Sequence, residues 1–161
     1  MERISKTNYY LDIAQTVASR STCLRRMYGA IIVKNDAIVS TGYCGAPRGR
    51  QNCSDMGYCI RQKMEIPRGE RYEMCRSVHS EANALIAAPR ELMLGSTMYQ
   101  VCIDAPTGEL AGDIDSCQMC KRMIINAGIE KVIYRTSPTE YRVAEVADWI
   151  SDDDSLGKMG Y

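Results

Sequence analysis

The sequence predicts an α/β fold, a sheet covered on both faces by helices in three α/β/α layers. Three observations carry that expectation. Segments with helical periodicity alternate along the chain with short β-prone runs, and such alternation puts helices on both faces of a sheet. The length, 161 residues, suits a single domain (1–161) with a sizeable core and leaves no room for two. No run of about 18 apolar residues occurs, so no membrane span is expected.

The elements follow in order. Residues 5–20 read as an amphipathic helix, because Tyr10, Ile13, Ala14, Val17 and Ala18 recur at helical spacing and Ser5 is a suitable N-cap. Residues 30–33 and 37–41 are short apolar runs on either side of Lys34-Asn35-Asp36, a strand–turn–strand pattern. Residues 81–88 read as a helix stopped by Pro89. Residues 97–103 are β-prone. Residues 118–127 read as a helix closed by Gly128, with Ser116 as its expected cap. Residues 130–135 form another strand. Ser137-Pro138 is expected to open a last helix that buries Val143, Val146, Ala147 and Ile150. The acidic tail 151–161 is expected to fray.

One stretch has no periodicity. Residues 45–76 are rich in Gly, Arg and Cys and contain Cys53, Cys59 and Cys75. A structureless insert of this length is uncommon unless it is functional or tied down.

Composition narrows the function. Twenty basic residues balance twenty acidic ones, which argues against a broad nucleic-acid footprint. A local arginine-lined pocket for one phosphate is compatible with that balance. Residues 1–6 lack the apolar core of a signal peptide, so a cytoplasmic location is expected. In that reducing compartment eight cysteines are better read as metal ligands or buried thiols than as disulfides.

The chemistry sits in two short motifs. His79 is the only histidine in the chain, and it stands two residues before Glu81. Cys117 and Cys120 follow as Cys-x-x-Cys. One imidazole and two thiolates make the three-ligand set of a catalytic zinc, which keeps its fourth position for water and lowers that water's pKa toward ~7. Glu81, one short step from the metal ligand, is placed to carry protons. Alone, a lone histidine or a Cys-x-x-Cys is ambiguous between metal, redox and accident. Their combination, each at an expected helix start, is not. His-x-Glu followed by Cys-x-x-Cys is the known signature of zinc nucleobase deaminases, and the chain resembles that superfamily here.

The resemblance narrows to the deoxycytidylate (dCMP) deaminase family. Residues 20–26 (Arg-Ser-Thr-Cys-Leu-Arg-Arg), 29–34 (Gly-Ala-Ile-Ile-Val-Lys), 41–49 (Thr-Gly-Tyr-Cys-Gly-Ala-Pro-Arg-Gly) and 79–84 (His-Ser-Glu-Ala-Asn-Ala) are similar to that family's motifs. So are residues 125–129 (Ile-Asn-Ala-Gly-Ile). The likeness runs over nearly all of residues 5–150. Three positions depart from it: Ser80 replaces alanine, Ser116 replaces proline, and Cys44 replaces asparagine. A thiol is a poor stand-in for an amide that both donates and accepts.

The resemblance implies a cytidine-deaminase-like fold with a central mixed sheet of about five strands. It implies hydrolysis of dCMP to dUMP and ammonia, with Glu81 catalytic and His79, Cys117 and Cys120 holding the catalytic zinc. Several members resembling this chain carry a second, structural zinc, for which Cys23, Cys53, Cys59 and Cys75 are the candidate ligands. Cys102 reads as a core thiol. Arg26, Cys44, Gly45, Arg48 and Arg90 are the candidate substrate residues, since arginine suits bidentate contact with phosphate. The family also implies a homo-oligomer, often a hexamer, activated by dCTP and inhibited by dTTP. Other readings share the zinc motifs: a tRNA adenosine deaminase, which the neutral charge disfavours, a free cytidine or riboflavin-pathway deaminase, and a non-catalytic zinc scaffold.

Overall fold

The computed structural model describes residues 1–152; the expected frayed tail beyond that lies outside the described residues. Five strands form one mixed sheet in the order β2-β1-β3-β4-β5. They are β1 (Arg26–Lys34), β2 (Ala37–Tyr43), β3 (Thr97–Asp104), β4 (Lys131–Arg135) and β5 (Tyr141–Glu145). Only β3 and β4 run parallel, joined through α6 (Gln118–Ala127), because parallel strands need a crossover while the antiparallel neighbours can be joined by short turns. The β1–β2 turn carries Asn35 and Asp36 at φ 49° and 61°, the left-handed pair that a tight two-residue hairpin demands.

The pleat sorts side chains into two cores. Ile31, Val33, Tyr99, Val101 and Ile133 face α1 (Lys6–Ala18). Their alternates Ala30, Ile32, Met98, Cys102, Val132 and Tyr134 face the opposite layer, formed by α4 (Ser80–Ile86), α6 and α7 (Val146–Ser151). Two glycines set how close the layers come. A Cβ on Gly29 would lie 2.3 Å from the Ala18 nitrogen on α1, and one on Gly42 would lie 2.3 Å from the Ser80 carbonyl oxygen on α4. The three-layer expectation therefore holds, and so do the Ser5 cap, which accepts from the Asn8 amide, and the left-handed Gly128 that closes α6.

Three expectations change. Ser137-Pro138 opens a turn, not a helix: the Thr139 and Glu140 amides donate to Ser137 Oγ, and the chain returns as β5 beside β4. Val143 is consequently exposed on that edge strand, Ala147 and Ile150 are exposed on α7, and only Val146 of the expected stripe is buried. The helix after Glu81 ends at Ile86, and a separate turn, α5 (Arg90–Met93), follows Pro89. The insert is not structureless. It contains α2 (Cys53–Met56), α3 (Ile60–Lys63) and a 3-10 turn at Tyr72–Met74.

Candidate active site

The two motif segments meet at helix starts. His79 is the N-cap of α4 and Cys117 the N-cap of α6. Residues before each helix are pinned by backbone and amide bonds. Gly45 and Val78 exchange two backbone hydrogen bonds, and Asn83 Nδ2 donates to the Tyr43 carbonyl. Cys117 Sγ accepts from the Cys120 amide, which turns both sulfurs toward one point.

His79 Nδ1 lies 3.5 Å from both Cys117 Sγ and Cys120 Sγ. A tetrahedral ion with metal–sulfur bonds of ~2.3 Å and a metal–nitrogen bond of ~2.0 Å sets nitrogen–sulfur edges of about 3.5 Å. The three residues therefore fit zinc by spacing as well as by donor chemistry. They form a group whose ligand atoms lie within 4.8 Å of one another, and no fourth ligand atom joins it among the described residues. Three ligands is the count of a catalytic zinc site, whereas a structural site closes with four.

The protonation of these groups is coupled. Burial pushes the His79 imidazole down, but hydrogen bonds with the Cys117 and Cys75 sulfurs outweigh it and raise the pKa to about 11. The hydrogen bond from Cys120 is the main cause that lowers Cys117, to about 4, with His79 adding to it. The same shared hydrogen bond, and then burial, push Cys120 well above the usual thiol range. Without a metal, protons are held more firmly on His79 and Cys120 than on Cys117.

Glu81 is buried at the second position of α4, with Ser80 Oγ donating to its Oε2 at 3.1 Å. It lines the same cavity of about 610 Å³ as His79 and Cys117. That volume suits a small molecule bound against the ligand group.

The candidate substrate residues divide. Arg26 and Cys44 line the cavity. Arg26, however, is engaged by Asp113 through both terminal nitrogens, at 3.2 and 3.4 Å. Cys44 is a buried thiol whose pKa is pushed well up, by burial first. Gly45 acts through its backbone bridge to Val78. Arg48 is exposed and is not among the lining residues. Arg90 lies away from the cavity too, where its Nη1 donates to the Asn126 carbonyl and ties α5 to the end of α6.

Cys23 and the three insert cysteines, Cys53, Cys59 and Cys75, do not form a group with ligand atoms within 4.8 Å of one another. Among the described residues only His79, Cys117 and Cys120 meet that condition. Cys23, Cys75 and Cys59 all stand close enough to raise the Cys53 thiol, after burial, so the four face a common region without meeting. Other contacts hold the insert: Arg76 Nε donates to the Gln51 carbonyl, and Arg61 Nη2 to the carbonyls of Pro67 and Glu70.

Ser116 also departs from expectation. Cys117 caps α6 instead, and Ser116 is buried, with its Oγ 2.8 Å from Tyr134 Oη and 3.3 Å from Gln100 Oε1. Cavity residues that motif reading passed over include Tyr28, Arg61, Arg68, Tyr72 and Asp113. No local spacing marks them, because they come from separate elements.

Known proteins resemble this chain over the same region. The family model described as the cytidine and deoxycytidylate deaminase zinc-binding region matches residues 4–136. A deoxycytidylate deaminase of Schizosaccharomyces pombe is 33% identical over 135 residues, covering 84% of this chain and 38% of that protein. One of Mycobacterium phage D29 is 35% identical over 139 residues, covering 83% of this chain and 97% of that protein. The chain thus spans less than half of the yeast relative and nearly all of the phage relative. Among solved structures, the dCMP deaminase of cyanophage S-TIM5 in complex with dCMP and dUMP aligns with a TM-score of 0.54 and 26% identity, covering 84% of each chain.

Proposed function

The chain belongs to the cytidine and deoxycytidylate deaminase family, and from that premise we propose that it hydrolyses dCMP to dUMP and ammonia. The observation that carries this reading is the meeting of His79, Cys117 and Cys120 at tetrahedral spacing, with His79 and Cys117 lining one cavity with the buried carboxylate of Glu81. Relatives named for dCMP supply the substrate.

His79, through Nδ1, and the sulfurs of Cys117 and Cys120 would hold zinc. When bound, that ion acts as a Lewis acid that makes water nucleophilic near neutral pH. The remaining work belongs to Glu81. Its carboxylate takes a proton from the attacking water and delivers it to the ring nitrogen beside the amino-bearing carbon. A second proton moves through Glu81 to the amino group, which leaves as ammonia while the carbon–oxygen bond becomes the carbonyl of dUMP. Ser80 Oγ, donating to Oε2, keeps the carboxylate oriented between turnovers. Proton transfer of this kind contributes about 10²- to 10⁴-fold in rate.

One ion is assigned to the cavity. A second, at Cys23, Cys53, Cys59 and Cys75, requires those thiols to move into bonding distance. Metal analysis of the purified protein counts them. The activity test is an ultraviolet assay of the pure protein against dCMP, CMP, dCTP, cytidine and an adenosine-containing RNA. Dominant turnover of dCMP is expected, and preference for any other member of that panel overturns the substrate. By family resemblance, dCTP and dTTP are the effectors to add to the assay, and a homo-oligomer is the assembly to look for by light scattering.

A further inference from the structure

We propose that Arg61, in the insert between β2 and α4, is the anion anchor of the cavity, and that the anion it holds is the 5′-monophosphate of the substrate. The proposal rests on the nucleotide-deaminase reading above. Arg61 is only 5% exposed, yet it forms part of the cavity wall. A buried guanidinium normally has a carboxylate beside it. Arg135, the other buried arginine, has one, with its Nη2 2.7 Å from Asp12. No ion pair among the described residues includes Arg61. Its Nη2 donates to the carbonyls of Pro67 (2.9 Å) and Glu70 (2.6 Å), while its Nε–H is buried with no partner. A full positive charge is thus held out of water by two neutral acceptors, with N–H groups to spare. An anion in the cavity would supply the countercharge that no carboxylate gives.

Three other cations of the cavity already stand beside a carboxylate. Arg26 and Arg68 share Asp113, at 3.2 and 3.5 Å, and Lys121 pairs with Asp115 at 3.0 Å. Arg25 also reaches the wall but is only partly buried, so water meets its charge.

Position agrees with the chemistry. The Arg61 guanidinium stacks 4.5 Å from the centre of the Tyr72 ring, and Tyr72 meets the His79 ring edge-on at 5.1 Å. The cation therefore sits one aromatic ring away from the metal-ligating imidazole. The stack also fixes the plane of the guanidinium, as bidentate contact with phosphate requires. The insert then has a role: it carries the phosphate-reading residue to a cavity whose metal ligands come from the sheet side.

The test compares dCMP with 2′-deoxycytidine, which lacks only the phosphate, in the zinc-loaded protein. Arg61→Gln is expected to lower kcat/KM for dCMP roughly 10- to 100-fold, the loss of charged hydrogen bonds, mainly through KM. Turnover of deoxycytidine should stay within about twofold, and dUMP binding, followed by calorimetry, should weaken in parallel while deoxyuridine binding does not. Arg3→Gln, at an exposed residue off the cavity, is the control and should change neither substrate. Equal losses on both substrates, or no loss on dCMP, overturn the proposal. If Arg61→Gln does not fold, Arg61→Lys carries the same comparison: it keeps the charge but not the fork, and only dCMP should suffer. Wild-type protein that leaves dCMP untouched defeats the dCMP reading and this inference together. Wild-type protein that deaminates dCMP, with a variant that treats both substrates alike, defeats this inference alone.

Discussion

The hydroxyls of Ser116 and Tyr134 lie 2.8 Å apart, and the Ser116 amide also donates to Tyr134 Oη at 3.2 Å. Tyr134 stands on β4, so a strand grips the residue immediately before Cys117. Groups behind a ligand fix its direction, and losing one lowers metal affinity about 10- to 100-fold in well-studied sites. Tyr134→Phe keeps the ring in the core but removes both bonds. Stability is expected to fall by about 1 kcal/mol in urea denaturation, and zinc affinity, measured against a competing chelator, to fall about tenfold. Unchanged affinity would mean that the α6 backbone alone holds Cys117.

Glu81→Gln keeps size and buried position but cannot carry a proton as a carboxylate does. Turnover is expected to drop by about 10²-fold or more, with zinc content unchanged because Glu81 is not in the ligand group. Retained turnover would remove Glu81 from the chemistry.

The residues of this centre were legible because their signal is local. His79, Glu81, Cys117 and Cys120 sit in two motifs a few residues long, each near an expected helix start. The hairpin turn at Asn35-Asp36 and the Gly128 closure were legible for the same reason. What escaped was long-range. Ser116 looked like a cap because serine caps helices, but a strand eighteen residues later claims its hydroxyl. Residues 141–145 were too short for apolar period to separate strand from helix, and pairing with β4 decided the matter. Arg48 and Arg90 were near motifs in sequence, whereas cavity walls are chosen by proximity in space. Arg61 reaches the cavity through an insert with no periodicity to read.

Zinc binding should expel about two protons at neutral pH. In the metal-free protein His79, raised to about 11, is an imidazolium and Cys120, pushed up, is a thiol, while Cys117, lowered to about 4, is already a thiolate. A zinc ligand set needs a neutral imidazole and two thiolates. The sign follows: affinity rises with pH, by up to ~100-fold per unit between pH 6 and 8, and falls as acid restores both protons. Calorimetric titrations in buffers of different ionisation enthalpy read the count directly. Release of fewer than one proton would contradict the charge state described.

Gly42 offers a test of how fold and chemistry connect. A Cβ at this position on β2 would lie 2.3 Å from both the Ser80 carbonyl oxygen and the Ala84 nitrogen. Both atoms are backbone, so no side chain can turn aside, and α4 must move off the sheet. Gly29→Ala poses the same conflict on the opposite face, 2.3 Å from the Ala18 nitrogen, but α1 carries no member of the site. Both substitutions are expected to destabilise by about 1–3 kcal/mol through overpacking. They should differ in activity. Moving α4 shifts Glu81 and its N-cap His79 together relative to Cys117 and Cys120 on α6, and a misplacement of about 1 Å costs on the order of 10²-fold in rate. Gly42→Ala should therefore lose turnover per folded molecule, while Gly29→Ala keeps it within about threefold. Equal activities, measured below both melting transitions with zinc content matched, would show that α4 rides on the sheet loosely enough to absorb the shift.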